Sequence, residues 1–96
     1  MGSMNSVKEL ADALVADGRY FPSRGEGDTP LGTYHAGEYQ LAVVDAFETA
    51  AEQGIPVSRE FQQAALDLIV NRPDADELDV EDLTLALEQI RAINAA

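Results

Sequence analysis

The chain has 96 residues and carries 18 Asp or Glu against 6 Lys or Arg, a formal net charge of −12 at pH 7. This length suffices for one domain with one core, and the hydrophobic fraction of 46% is too high for a disordered acidic tail. The lack of cysteine excludes disulfides and thiolate chemistry, while the negative field disfavours direct binding to nucleic acid or to an anionic membrane.

The N-terminus shows no recognisable sorting segment. No run of residues approaches the ~18 apolar residues that a membrane span requires, and no basic stretch precedes an apolar run as in a signal peptide. Residues 1–3 precede a second methionine, Met4, and we interpret them as a cloning scar. We expect a cytoplasmic protein in which residues 1–96 form a single helical domain.

Periodic apolar residues predict four helices, the first over about residues 7–17. Ser6 and Glu9 have the spacing of a capping box, in which each side chain accepts a hydrogen bond from the other residue's backbone amide. Gly18 stands where a left-handed residue commonly ends a helix.

A long Gly/Pro-containing loop is predicted over residues 18–36, between the first and second helices. It contains three aromatic residues, Tyr20, Phe21 and Tyr34. In one interpretation Tyr20, Phe21 and Leu31 tuck under the helices and hold the loop down. In the other, the loop contacts a partner and an exposed aromatic such as Tyr34 serves as an anchor.

The second and third helices are predicted over about residues 38–53 and 59–71. Leu41 belongs to the predicted apolar side of the second helix, which Gly54 ends. Ser58 is the predicted N-cap of the third helix. Because only four or five residues join these helices, we expect them to form an antiparallel hairpin.

The fourth helix is predicted over about residues 80–94, with Asp79 as its N-cap and a hydrophobic staple between Leu78 and Leu83. Its predicted buried stripe consists of Leu83, Ala86, Leu87, Ile90 and Ile93. Because no segment has the alternation of a strand, the predicted fold class is all-α, a small bundle of about four helices.

No residue pattern supports catalysis, a metal site or a cofactor site. His35 is the single histidine, and without cysteine it cannot supply a structural zinc set. A calcium loop starting at Asp74 would place Leu78, Asp79 and Leu85 at its fifth, sixth and twelfth positions, where the EF-hand needs an oxygen ligand, glycine and glutamate. We therefore expect a protein that is not an enzyme and that has no cofactor.

Carboxylates recur along one face of the second helix, at Glu38, Asp45, Glu48 and Glu52, and that helix contains no Lys or Arg. Like charges one turn apart are mildly unfavourable, by a few tenths of a kcal/mol. Two interpretations stay open: a solvated face that keeps the protein soluble, or a surface that docks on a basic cleft.

A second acidic group runs from Asp74 to Asp82. Helix capping and the helix dipole account for its later members, from Asp79 onwards. They leave Asp74, Asp76 and Glu77 without a structural role. These three residues therefore join the four of the second helix and Tyr34 as candidate partner-binding residues.

The segment from about Gly37 to Ile69 resembles small bacterial immunity proteins, which neutralise polymorphic or contact-dependent inhibition toxins and include the Maf immunity group. Such proteins show a Gly-Glu-x-x-Leu-Ala helix start, then an Ile-Pro-(Val/Ile/Leu)-(Ser/Thr) turn and a further amphipathic helix. The matching residues here are Gly37, Glu38, Leu41, Ala42, Ile55, Pro56, Val57 and Ser58. The resemblance implies a cytoplasmic, non-enzymatic inhibitor of one cognate toxin domain, often a nuclease with a basic cleft.

The leading hypothesis is thus an acidic inhibitor that occludes the active cleft of a basic toxin domain, towards which its charge would steer it. The second hypothesis is a phage-type inhibitor or nucleic-acid mimic that binds a host complex handling DNA or RNA. The third is a structural or adaptor subunit that assembles through apolar helix faces. The expected oligomeric state is a monomer or a homodimer.

Overall fold

Helices account for all the regular structure in residues 4–20 and 30–95, which are the residues described by a computed structural model of the chain. They are α1 (Val7–Asp17), α2 (Pro30–His35), α3 (Tyr39–Gln53), α4 (Arg59–Ala65) and α5 (Glu77–Ala95), and a π-helix, Leu66–Val70, continues α4. No strand occurs in these residues. The predicted all-α class is confirmed, with α1, α3, α4 and α5 corresponding to the four predicted helices.

The ends of α1 follow from its sequence. The Ser6 side chain accepts a hydrogen bond from the Glu9 amide at 3.1 Å, as predicted. The Glu9 carboxylate accepts from the amide of Asn5 at 2.6 Å, one residue before the position that a capping box would use. Gly18 ends the helix in the left-handed region at φ 84, and its amide donates to the Leu14 carbonyl.

The predicted loop of residues 18–36 ends in a helix that the sequence pattern did not predict. Pro30 opens α2, a position where the missing amide hydrogen of proline has no cost. Tyr20 is 1% exposed, as the interpretation of a tucked loop expects. Phe21 and the surroundings of the Leu31 side chain lie outside the described residues.

Helices α3 and α5 run side by side in the same direction. Near their starts the Gln40 amide donates to Asp79 at 2.7 Å. Beyond their middles Glu52 and Gln89 line the same groove. Because contacts advance along both helices together, α4 and its π-helical continuation form the return connection between two parallel helices.

We expected α3 and α4 to form an antiparallel hairpin, but these two helices do not pack on each other as a pair. Helix α3 packs mainly on α5 and then on α1 and α2, whereas α4 packs on α1 and the π-helix packs on α5. The connection explains this, because the buried Val57 is held by Asn94 near the end of α5. The Val57 amide donates to the Asn94 side chain at 3.2 Å, and the Asn94 side chain donates back to the Val57 carbonyl at 2.7 Å.

Helix α5 begins three residues earlier than predicted. The Asp76 carboxylate accepts hydrogen bonds from the amides of Leu78, at 2.9 Å, and Asp79, at 3.3 Å, so Asp76 caps the helix and the prediction of Asp79 as N-cap was wrong. The predicted staple is absent because Leu78 is 71% exposed. Because α5 starts earlier, Leu78 and Asp79 are helical residues, and the helix determines the direction in which each side chain lies.

One buried cluster joins all the long helices. Its largest members are Leu10, Leu14, Tyr20, Val43, Phe47, Val57, Ile69, Leu83, Leu87 and Ile90. The buried stripe predicted for the last helix is confirmed from Leu83 to Ile90, and Ile93 is half-buried. Leu41 was expected on the apolar side of α3 but is 43% exposed. It precedes Asp45 and Glu48 by four and seven residues, so it lies at the edge between the apolar and the acidic faces of this helix.

Candidate partner-binding surface between helices α3 and α5

Carboxylates of α3 and α5 meet along the groove between these parallel helices. We name this group the acidic seam. It consists of Asp45, Glu48 and Glu52 from α3 and Asp79 and Asp82 from α5. The spacings of three and four residues keep each set on one side of its helix. The pairing of α3 with α5 then brings the two sets together.

Glu48 lies at the electrostatic centre of the acidic seam. Burial raises the pKa of its carboxyl group above the ordinary value, and repulsion from Asp82, Asp45, Glu52 and Asp79 raises it further, in that order of importance. The charged form of Glu48 is therefore held at a cost in free energy at neutral pH.

Asp45 shows a similar shift with one compensating contact. Burial raises the pKa of the Asp45 carboxyl group, a hydrogen bond with the Thr33 side chain opposes that rise, and repulsion from Asp79 adds to it. Thr33 belongs to α2, so this short helix helps to fix the position of one carboxylate of the acidic seam.

No Lys or Arg of the described residues forms an ion pair with the acidic seam. The ion pairs in this part of the chain are Lys8–Asp12 at 3.0 Å, Arg19–Asp17 at 2.7 Å and Arg72–Asp74 at 3.5 Å. Arg59 and Arg91 line a separate groove beside Asn94, towards the end of α5. The arrangement separates negative charge on the acidic seam from these two cations.

The groove itself combines carboxylates with apolar side chains. It has a volume of about 170 Å³ and is lined by Glu48, Ala51, Glu52, Asp82, Leu85, Ala86 and Gln89. Leu85 is 54% exposed at its edge. A shallow surface of this kind suits contact with another protein better than enclosure of a small molecule, which usually requires about 300–1,000 Å³.

The structure places the eight candidate residues in several different settings. Asp45, Glu48 and Glu52 come together in the acidic seam, while Glu38 is exposed at the start of α3 without a capping hydrogen bond from its side chain. Asp74 pairs with Arg72. Asp76 has the capping role described above, which the sequence did not reveal.

Glu77 and Tyr34 lie apart from the acidic seam. Glu77 is exposed in the first turn of α5, where the helix dipole favours a negative charge. The Tyr34 hydroxyl donates to the Asp12 carboxylate at 2.6 Å, and its ring makes edge contacts with Tyr39 and His35. Tyr34 therefore links α2 to α1 and to the start of α3.

Asp79 and Asp82 are the members of the acidic seam that sequence reasoning missed. Both were assigned to capping because the start of α5 was placed too late. Their spacing of three residues, together with the seven-residue spacing of Leu78 and Leu85, would have indicated a mixed acidic and apolar helix face.

The described residues offer no constellation for metal-dependent chemistry. Within residues 4–20 and 30–95, no group of three Asp, Glu or His side chains is arranged so that it could hold a metal ion. In the same part of the chain, no helix combines the length and apolar character needed to cross a membrane.

Comparison with known proteins gives no relative. No protein-family model, no curated protein and no solved structure matches the chain.

Proposed function

We propose that the protein is a non-enzymatic inhibitor that binds a basic partner through the acidic seam, and that this partner is a bacterial toxin domain whose active cleft it occludes. The observation that supports binding is the acidic seam itself. Burial of Glu48 and repulsion from the other four carboxylates of the acidic seam raise its pKa, and no cation of the described residues forms an ion pair with the acidic seam.

Binding to a basic cleft would replace the repulsion between the carboxylates of this surface by attraction to the partner. Lys or Arg side chains from a partner would neutralise carboxylates that now repel one another, and the negative field would speed association. Active clefts that bind nucleic acid are basic because they hold phosphates. The assignment to an immunity protein additionally rests on the resemblance of about residues 37–69 to that family.

Recovery of a partner from lysate tests this proposal. The tagged chain is applied at low salt to lysate of the source cells, eluted with a salt step, and the eluate is identified by mass spectrometry. We expect one basic toxin-like domain whose activity the added protein then inhibits. Recovery of a host DNA- or RNA-handling complex would instead support a nucleic-acid mimic, and recovery of the protein alone would count against a basic partner.

A matched pair of variants locates the binding surface. Glu48→Gln, Glu52→Gln and Asp82→Asn together remove three charges from the acidic seam. Glu60→Gln, Asp67→Asn and Glu88→Gln remove three charges from exposed positions elsewhere. We expect the first variant to lose the partner and to associate more slowly, whereas the second retains both properties. Equal losses would show that net charge matters and that the acidic seam does not.

A further inference from the structure

The large hydrophobic side chains that remain exposed in the described residues all belong to α3 and α5, at helical spacings from members of the acidic seam. They are Leu41, at 43%, Leu78, at 71%, and Leu85, at 54%. Leu78 and Leu85 are seven residues apart and share one face of α5, next to Asp82. Leu41 precedes Glu48 by seven residues and so shares its face of α3.

This coincidence points to more than electrostatic attraction. A solvated face kept acidic for solubility gains nothing from exposed leucines, whereas a docking surface needs apolar contacts that exclude water. Leu85 lines the groove together with Ala51 and Ala86. These small side chains leave room for an apolar side chain of a partner to enter between the helices.

We infer that the groove between α3 and α5 receives a basic amphipathic helix of the partner. Its apolar residues would contact Leu41, Leu78 and Leu85, and its Lys or Arg residues would pair with Glu48, Glu52 and Asp82. This inference rests on the proposed function, because it names the partner element that the same surface would bind.

The dimensions and charges of the surface are suited to a basic amphipathic helix. Helices α3 and α5 contain 15 and 19 residues, about 22 and 28 Å of length. A third helix packs naturally into a groove between two parallel helices, at interaxial distances of about 8–10 Å. Apolar anchors at helical spacing are the usual means by which such a groove recognises a helix, and charge complementarity requires that its flanks be basic.

Two synthetic peptides of about 18 residues, or five helical turns, serve as probes of the full chain. One carries Leu on one face and Lys on the other, and the second has every Leu replaced by Ala. Isothermal titration calorimetry measures affinity, and amide shifts of the isotope-labelled protein locate the site. We expect the Leu/Lys peptide to bind about tenfold more tightly or better, a difference of about 1.4 kcal/mol, with shifts centred on α3 and α5.

Variants then separate the apolar contribution from the charged one. Leu78→Ser with Leu85→Ser should abolish the preference for the Leu/Lys peptide while leaving the binding of the Ala/Lys peptide unchanged. Glu48→Gln, Glu52→Gln and Asp82→Asn should weaken both peptides. Thermal melting by circular dichroism confirms that each variant is folded, which we expect because all five positions are outside the buried cluster.

The outcomes distinguish this inference from the proposed function. If both peptides bind equally and the leucine variant changes nothing, the helix-docking inference is overturned while an electrostatic surface survives. Shifts spread over every acidic face of the protein would also overturn it. If lysate recovery yields no basic partner although the Leu/Lys peptide binds in the groove, the groove is real and the proposed function fails.

Discussion

Asp12 and Glu48 are both carboxylates on helix surfaces, yet the protein places them in opposite environments. Asp12 accepts a hydrogen bond from the Tyr34 hydroxyl and pairs with Lys8, and these contacts lower the pKa of its carboxyl group. Burial raises the pKa of the Glu48 carboxyl group, and repulsion from the surrounding carboxylates raises it further. The contacts of Asp12 therefore stabilise the fold, whereas the environment of Glu48 is the one that the proposed function requires.

The surroundings of Asp12 and Glu48 differ in the same way as the two parts of the molecule that contain them. Around α1 and α2, Tyr34 connects Asp12 to the start of α3, so the charges there have structural roles. Along α3 and α5, the buried faces hold the helices together while the adjoining faces carry negative charge and exposed leucines. The proposed function depends on the second region being rigid enough to keep its carboxylates together.

The largest expected effect tests which face of α5 packs in the core. Leu87 is 2% exposed and Leu85 is 54% exposed, so the same substitution probes the two faces of one helix. Leu87→Ala should lower the free energy of unfolding by about 2–5 kcal/mol, because it leaves a cavity in the core. Leu85→Ala should change it by less than about 0.5 kcal/mol. Urea unfolding followed by circular dichroism measures both, and similar values would show that α5 packs by a different face.

A smaller effect is expected at the start of α5, where two acidic residues of the same run differ in role. Asp76→Ala removes the side chain that accepts hydrogen bonds from the Leu78 and Asp79 amides, and should cost about 1 kcal/mol. Asp74→Ala removes an exposed ion pair with Arg72, which contributes about 0–1 kcal/mol at most. Thermal unfolding compares them. A larger loss at Asp74 would contradict the assignment of Asp76 as the cap.

The sequence predicted most of the helices but only part of the surface. Local signals sufficed for α1, whose cap and terminal glycine lie within a few residues of one another. The start of α5 was misplaced because Asp76 and Asp79 are both good capping residues and only one precedes the first helical turn. The pairing of α3 with α5 rests on contacts between residues distant in sequence, such as Gln40 with Asp79, which no local pattern contains.

That long-range pairing also explains why the sequence predicted only the α3 residues of the acidic seam. The face of α3 was visible from the spacing of Asp45, Glu48 and Glu52, because one helix determines it. Its extension by Asp79 and Asp82 required knowing which helix lies beside α3. The expected neighbour was α4, whose first residues include Arg59, and that arrangement would have placed a cation closer to α3.

The smallest expected effect concerns the charge of Glu48. Glu48→Gln should raise the free energy of unfolding at pH 7 by a few tenths of a kcal/mol to about 1 kcal/mol, because it removes a partly buried charge that neighbouring carboxylates repel. Glu88→Gln, an exposed position on α5, makes the same change of net charge away from the acidic seam and should have little effect. Urea unfolding at several pH values measures both variants.

The pH dependence distinguishes this mechanism from a general effect of net charge. Folding raises the pKa of Glu48 above the ordinary 4.5. Just above that pH, the folded protein therefore still holds a proton on Glu48 that the unfolded chain has released. The contribution of this group to stability therefore falls as the pH rises above 4.5, and the advantage of Glu48→Gln should disappear as the pH falls below it. Tyr34→Phe provides the opposite case, because it removes the hydrogen bond that lowers the pKa of Asp12. That hydrogen bond stabilises the fold above about pH 3.8, and its contribution is lost on acidification. If Glu48→Gln instead lowered stability at pH 7, Glu48 would have a stabilising contact, and the contrast with Asp12 would be wrong.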